Sequence, residues 1–174
     1  MFKQSRSIYL MILCAVSVSA CGYGFSGRGQ FPEGVQHIFV EVFDNRTSKT
    51  GIERIVTNQV IFEFTRQRQK SLVDNAANAD AILKGTIRTI RTQTVARVGT
   101  EVASQREVIM TIDLTLVRQN GGQILWAAKG IQDRQVYDVA QQSQIVTNQS
   151  ETDAIAVLSE RMSERIFNQL TNNF

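Results

Sequence analysis

The sequence contains few of the residues that metal and catalytic centres need. It has one histidine, His37, and only two cysteines, Cys14 and Cys21. A single histidine in a predicted strand, with no cluster of cysteines or carboxylates, is typical of a structural side chain. No serine lies in a nucleophile-elbow context, and no glycine-rich loop joins a strand to a helix. Asp74 and Asp80 flank one loop, but nothing in the sequence fixes their separation. The residues therefore predict a protein that is not an enzyme and that holds no metal or dissociable cofactor.

The sequence also lacks an apolar run of transmembrane length. Eleven mostly apolar residues, Ile8 to Val18, follow a short cationic start and lead into Val18-Ser19-Ala20-Cys21. This pattern predicts a secretory signal peptide over residues 1–20. The order aliphatic, small, small, cysteine resembles the lipobox of bacterial lipoproteins. The alternative is an ordinary signal peptide that happens to end at a cysteine.

The lipobox resemblance implies that Cys21 becomes the first mature residue and carries a covalent lipid, with an N-terminal acyl chain and a diacylglyceryl group. Two or more chains are needed for stable anchoring in a bilayer. The next residue is Gly22 rather than aspartate. In the lipoprotein class, that implies passage to the outer membrane.

Little net charge remains once residues 1–20 are removed. The 154 residues that follow hold 17 lysines and arginines against 16 acids, because Lys3 and Arg6 leave with the signal. The absence of a strong field of one sign argues against a nucleic-acid partner. Cys14 also leaves and Cys21 is lipidated, so no internal disulfide is expected. The chain is long enough for one domain with its own core.

Residues 21–34 are rich in glycine and predict a flexible acylated leader, followed by a single domain over residues 35–174. Val35–Phe43 alternates and predicts a strand with Ile38, Val40 and Val42 on one face, before a loop at residues 44–47. From Gly51 the apolar residues recur at helical spacing. They predict a helix that ends near residues 68–70.

Period-two alternation then returns in three segments. Residues 79–94 predict a strand with a bulge near Thr89, and residues 95–104 predict a hairpin tip. The next strand is the clearest. Its predicted core face comprises Val108, Met110, Ile112, Leu114 and Leu116. Asn120-Gly121-Gly122 predicts a tight turn into a strand from Gln123 to about Arg134.

The last predicted helix follows a polar connection at residues 137–148. It runs from about Ser150, a capping residue, to Leu170, with Ile155, Leu158, Met162 and Ile166 on its apolar stripe. The order β-α-β-β-β-α predicts an α+β fold. We expect a two-layer α/β sandwich with two helices on one face of a four-stranded mixed sheet.

Two surface features of this predicted sheet have more than one interpretation. The face without helices is rich in threonine and lightly charged. It suits either solvent or a polar protein surface such as the lumen wall of an outer-membrane barrel. Three arginines, Arg91, Arg97 and Arg106, bracket the hairpin tip, and clustered arginines bind phosphate groups. The residues alone favour the simpler interpretation, in which these cations keep a strand edge from aggregating.

Several segments, in order along nearly the whole mature chain, resemble the LptE family of lipopolysaccharide-assembly lipoproteins. The segments are Cys21-Gly22-Tyr23-Gly24-Phe25, Val40-Glu41-Val42-Phe43-Asp44-Asn45-Arg46-Thr47, Gly51-Ile52-Glu53 with Thr57-Asn58 and Glu63-Phe64, Ala79-Asp80-Ala81-Ile82-Leu83-Lys84-Gly85-Thr86, and Leu125-Trp126. The resemblance implies a lipoprotein of the outer membrane. It would sit as a plug inside the LptD β-barrel, help that barrel assemble, and bind lipopolysaccharide on its way to the cell surface.

Under this resemblance the two surface features acquire functions. Thr86, Arg88, Thr111 and Thr115 become candidate barrel contacts, and Arg91, Arg97 and Arg106 become candidate contacts for the phosphates of lipopolysaccharide. The arginine assignment is a hypothesis from charge and location, because no binding residue of the family transfers by position.

The alternative hypothesis, from another functional class, is that the protein is an envelope lipoprotein that regulates a peptidoglycan synthase across the periplasm. That task needs a long disordered tether, whereas only residues 22–34 separate Cys21 from the first predicted strand. The short leader favours the plug. A periplasmic hydrolase, a third alternative, lacks a catalytic triad or a metal-ligand set.

Overall fold

The computed structural model describes residues 31–32, 34–68, 71–98 and 102–172. Its elements are β1 (Ile38–Val40), β2 (Asp44–Asn45), α1 (Ile52–Arg68), a 3-10 turn (Ala76–Asn78), β3 (Ala81–Val98), β4 (Val102–Arg118), β5 (Ile124–Asp138) and α2 (Gln144–Asn172). The predicted signal peptide, Cys21 and the leader before Phe31 lie outside the described residues.

The strands form one mixed sheet, and both helices pack on the same face of it. The strand order is β1-β3-β4-β5, and β2 pairs with β3 further along the β1 edge. β1 and β2 run parallel to β3, whereas β3, β4 and β5 are antiparallel. One buried cluster joins the helices to the sheet. It includes Val56, Val60, Phe64, Leu158, Met162 and Ile166 from the helices and Leu83, Ile87, Met110, Ile112, Leu114 and Leu116 from the strands. The predicted two-layer α+β fold is confirmed, but the sheet has five strands and not the predicted four, because Asp44–Asn45, predicted as part of a loop, forms β2.

The first strand is shorter than predicted, and its alternation reverses. Ile38 pairs with Ala81 and Asp44 with Thr86, so one extra residue is accommodated between β1 and β2. Phe43 donates its backbone N–H to Thr57 Oγ1 of α1 instead of to β3 (3.0 Å). This turns the Phe43 side chain into the core and leaves Val42 65% exposed. The prediction that Val42 shares the buried face of Ile38 and Val40 was wrong for this reason.

The β3–β4 hairpin is longer than the sequence suggested. β3 continues to Val98 and β4 starts at Val102, so most of residues 95–104 belongs to strands and not to a tip. The bulge near Thr89 is confirmed by a register shift between Ile87 and Thr89. Past that shift Thr92 faces the helices, where its hydroxyl contacts Glu151 of α2 (3.1 Å). The turn at Gly121 and Gly122, both with positive φ, is also as predicted.

The connection predicted at residues 137–148 is mostly regular structure. β5 runs to Asp138 and α2 begins at Gln144, so Ser150 is not its cap. Ser143 Oγ accepts from Val146 N (3.4 Å), and Thr147 ties the first turn back to Ala140. These local hydrogen bonds start the helix seven residues early, in a segment whose apolar spacing gave no signal.

α2 also covers the β5 edge of the sheet. Arg161 donates to the carbonyl of Arg134 (2.6 Å) and Arg165 to that of Gln132 (3.0 Å), while Asp133 accepts from Arg161. Backbone acceptors on an edge strand are thereby satisfied within the chain, which disfavours pairing with another strand. Among the described residues, no helix is long and apolar enough to cross a membrane.

Candidate functional site

The face of the sheet opposite the helices is called here the helix-free face. All four candidate barrel contacts lie on it. Thr86 stands across from Asp113, Thr111 from Thr89, and Thr115 from Lys84. Arg88, the unpaired residue between Ile87 and Thr89, reaches Asp113 with its guanidinium and has 57% of its side chain exposed. The structure thus brings the four residues onto one polar surface.

Asp113, which the sequence did not single out, lies at the centre of this face. Its two carboxylate oxygens serve different strands: Oδ1 accepts from Gly130 N of β5 (2.7 Å) and Oδ2 from Arg88 Nη1 of β3 (3.0 Å). Burial alone would raise the pKa of Asp113. The hydrogen bond from Gly130 and the guanidinium of Arg88 outweigh that effect and hold the pKa below its ordinary value. Asp113 is therefore ionised at neutral pH.

The three predicted phosphate-binding arginines do not form one cluster. Arg91 lies on the helix-free face, where its β4 partner Ile109 is flanked on the other side by Arg134 of β5. Arg106 lies on the opposite face, because it pairs with Thr94 and with the buried Tyr137. The backbone of Arg97 pairs with Ala103 after two further register shifts.

The row Arg91–Ile109–Arg134 is a cationic site that the sequence analysis missed. Ile109 is buried although it faces away from the helices, and neither arginine forms an ion pair with another described residue. A cavity of about 350 Å³ opens here, lined by Ile109, Gln132, Asp133 and Arg134. The available signal was Gly130, since an isolated glycine in a strand pattern suggests a bulge, and this bulge sets which β5 residue meets Ile109.

The segments that carry the family resemblance build the scaffold around β2. Asn45 donates to Glu53 Oε2 (2.8 Å) and to Lys49 O (2.9 Å), and it accepts from Thr47 N (2.9 Å). Phe43 lies against Gly85, where a Cβ atom would come within 2.5 Å of its ring. These hydrogen bonds and this close contact hold β2, β3 and α1 together, so the residues have a structural role.

His37 and Asp80 also have a structural role. Asp80 accepts from the backbone N–H groups of Gln36 (2.9 Å) and His37 (2.8 Å). These hydrogen bonds hold the pKa of Asp80 below its usual range. Asp80 thus ties the start of β3 to the start of β1, and Asp74 remains exposed. The described part of the chain contains no group of three or more potential metal ligands.

The fold, two helices on one face of a mixed sheet, is shared with several solved structures of bacterial lipoproteins. Similar solved structures include the uncharacterized lipoprotein B from Nitrosomonas europaea (12% identity, 85% of this chain and 90% of that chain, TM-score 0.58). A putative lipoprotein from Caulobacter crescentus CB15 is also similar (14% identity, 75% and 88%, TM-score 0.53). A third is a minor lipoprotein from Acinetobacter baumannii (11% identity, 79% and 92%, TM-score 0.51). At these identities the likeness concerns the fold alone.

The family follows from the sequence match. The family model described as LptE, lipopolysaccharide-assembly, matches residues 35–170, so the chain belongs to the LptE family. This confirms the resemblance noted in its segments. The LptE family is a non-enzymatic lipoprotein family of lipopolysaccharide transport. No curated protein sequence matches the chain.

Proposed function

We propose that this protein is the lipoprotein subunit of a lipopolysaccharide translocon in the outer membrane. It plugs the LptD β-barrel, helps that barrel assemble, and binds lipopolysaccharide during delivery to the cell surface. The observation that carries the proposal, together with the family match, is the two-sided sheet. One face is buried in the core, and no described element covers the polar helix-free face.

The chemistry of the helix-free face suits the lumen of an outer-membrane barrel. Thr86, Thr111 and Thr115 are half-buried and present short hydroxyl side chains, while Arg88 and Lys84 are each paired with an acid of the same domain. Barrel lumens are polar, so hydroxyls and neutralised ion pairs can contact them without leaving buried charges unpaired.

The first described residues lie at one end of the sheet, which agrees with a lipid anchor that attaches the domain to the membrane by that end. Phe31 is buried and stacks on Phe64 of α1 (6.3 Å), which contacts Phe167 of α2 edge-on (5.1 Å). This is the end of the sheet where β3 begins, since Gly34 lies beside Arg118, the last residue of β4. Residues 21–31 span at most about 35 Å, whereas the 18 residues of β3 extend about 60 Å. A lipid on Cys21 therefore holds this end near the membrane and leaves the hairpin at the far end.

Affinity capture from detergent-solubilised outer membranes tests the proposed function. Tagged full-length protein should retain its cognate LptD barrel. The variant Thr111→Glu/Thr115→Glu, which places charges on the helix-free face, should retain at least fivefold less. The matched control is Asn58→Glu/Thr65→Glu on the exposed side of α1. Capture of a peptidoglycan synthase in place of a barrel would contradict the proposal.

Lipidation of Cys21 is tested separately. Mass spectrometry of the mature protein should show residues 1–20 removed and a triacylated cysteine at the new N-terminus. In cells that lack LptD, the lipid on Cys21 should be the only attachment of the protein to the membrane. Cys21→Ala should therefore move the protein out of outer-membrane fractions in those cells. Persistence of this variant in the membrane under those conditions would refute the anchor.

Binding of lipopolysaccharide is assigned to the arginines of the β3–β4 hairpin, of which Arg91 lies on the helix-free face. Because Arg91 shares its face with Arg134, we expect Arg91→Glu/Arg134→Glu to weaken binding at least tenfold and to reduce its salt dependence; a charge-assisted hydrogen bond contributes about 1.5–3 kcal/mol. The triple variant Arg91→Glu/Arg97→Glu/Arg106→Glu, which reverses all three arginines predicted from the sequence, should also weaken binding. Arg106→Glu alone is the control for the opposite face. Unchanged binding by both multiple variants would remove the assignment.

A further inference from the structure

We infer that Asp113 is a positioning residue for the barrel contact: it shapes the helix-free face and orients Arg88 toward the partner. This inference rests on the proposed function and deepens it. It starts from two irregularities of the sheet that lie next to each other along β4.

Both neighbours of β4 are bulged close to Asp113: β5 opposite Asp113 itself, and β3 between the levels of Ile112 and Thr111. On β3, Ile87 pairs with Ile112 and Thr89 with Thr111, so Arg88 is an extra residue. On β5, Ile131 pairs with Ile112 and Ala128 with Leu114, so two residues, Lys129 and Gly130, stand opposite Asp113 alone. Bulges bend a strand and increase its twist, and here the two flanking strands are irregular at neighbouring levels of β4.

The carboxylate of Asp113 contacts a residue of each bulge. A bulge takes a backbone N–H out of the ladder, and Asp113 Oδ1 accepts the N–H of Gly130 at 2.7 Å. Gly130 adopts φ +68°, a conformation that favours glycine, so this bulge is specified by its residue type. Oδ2 holds Arg88, the extra residue on β3, at 3.0 Å. One side chain on β4 thus contacts the bulged segment of both neighbouring strands, through a backbone N–H on β5 and through a side chain on β3.

The ion pair leaves Arg88 able to bind a second group. Asp113 takes one N–H of the guanidinium, and no other described group accepts from Arg88. The remaining N–H donors are presented in a fixed orientation on an exposed side chain. A side chain ordered before association loses less conformational entropy when it binds. The acceptors that suit it are backbone carbonyls or carboxylates of the barrel lumen.

A double-mutant cycle on the capture of the cognate LptD barrel tests this inference. Asp113→Asn keeps a carbonyl oxygen for Gly130 N–H and removes the charge that orients Arg88; Arg88→Gln removes the guanidinium. Retention is measured with the full-length protein, below the unfolding temperature of every variant. We expect each single variant to retain about fivefold less barrel. The double variant should be no weaker than the weaker single variant, because both changes remove one interaction.

Three other results have distinct meanings. If Asp113→Asn lowers the melting temperature but retains the barrel as wild type does, Asp113 is only structural and the inference is overturned. If the two losses multiply, Asp113 does not act through Arg88, and the inference is again overturned. If wild-type protein retains no barrel, the proposed function fails, and this inference fails with it.

Discussion

Replacing Leu114 with aspartate is expected to unfold the domain. Leu114 is 1% exposed and belongs to the core between the sheet and the helices. Removing a buried leucine side chain costs about 2–5 kcal/mol, and burying a carboxyl group without a partner costs several more. Because domains are stable by only about 5–15 kcal/mol, circular dichroism should show loss of the cooperative thermal transition.

The matched control for Leu114→Asp is the next residue on the same strand. Thr115→Asp places the same carboxylate on the helix-free face, across from Lys84. The free energy of unfolding should stay within about 1 kcal/mol of wild type, since a charge that faces solvent and a cation is tolerated. A folded Leu114→Asp protein, or an unfolded Thr115→Asp protein, would show that the faces of β4 are assigned the wrong way round.

Gly85→Ala is expected to have the second largest effect. An alanine Cβ at this position would lie 2.5 Å from ring atoms of Phe43, which is 2% exposed and cannot swing into solvent. Overpacking of this kind typically costs about 1–3 kcal/mol, and the rigid ring places Gly85→Ala at the upper end of that range. A loss of about 3 kcal/mol lowers the melting temperature of a domain of this size by roughly 6–12 °C.

Two variants separate the Phe43 contact from other effects of alanine at this site. Lys84→Ala, on the exposed side of the same strand, should change the melting temperature little. In a Phe43→Ala background the clashing ring is gone, so adding Gly85→Ala should have almost no further effect. Equal effects of Gly85→Ala in both backgrounds would contradict the assignment.

Both helices and the three long strands, with their order, were predictable because each has a local period; the two-residue strand β2 has none and was predicted as a loop. An apolar stripe at helical spacing predicted α2, with Ile155, Leu158, Met162 and Ile166 on it. The alternation from Val108 to Leu116 predicted β4. Boundaries were less predictable. The start of α2 depends on hydrogen bonds of Ser143 and Thr147, and the break after Val40 depends on Thr57, a residue of the following helix.

The face on which Thr86, Arg88, Thr111 and Thr115 lie was predictable from the alternation of β3 and β4, whereas the grouping of the cations was not. Arg91, Arg97 and Arg106 are close in sequence, but a hairpin alternates its side chains between two faces and each bulge shifts the phase by one residue. Arg134 meets Ile109 only because of the bulge at Gly130. Arg134 lies near Arg91 because β3, β4 and β5 align the two arginines on either side of Ile109.

The sequence by itself determined the α+β architecture, the core face of β4 and the family. Those depend on local periodicity and on ordered segments along the chain. Only the tertiary structure decided which cations share a face and that Asp113 connects three strands. The physical reason is that register across a sheet is set by bulges and by contacts between distant residues, and a single added residue moves a side chain from one face to the other.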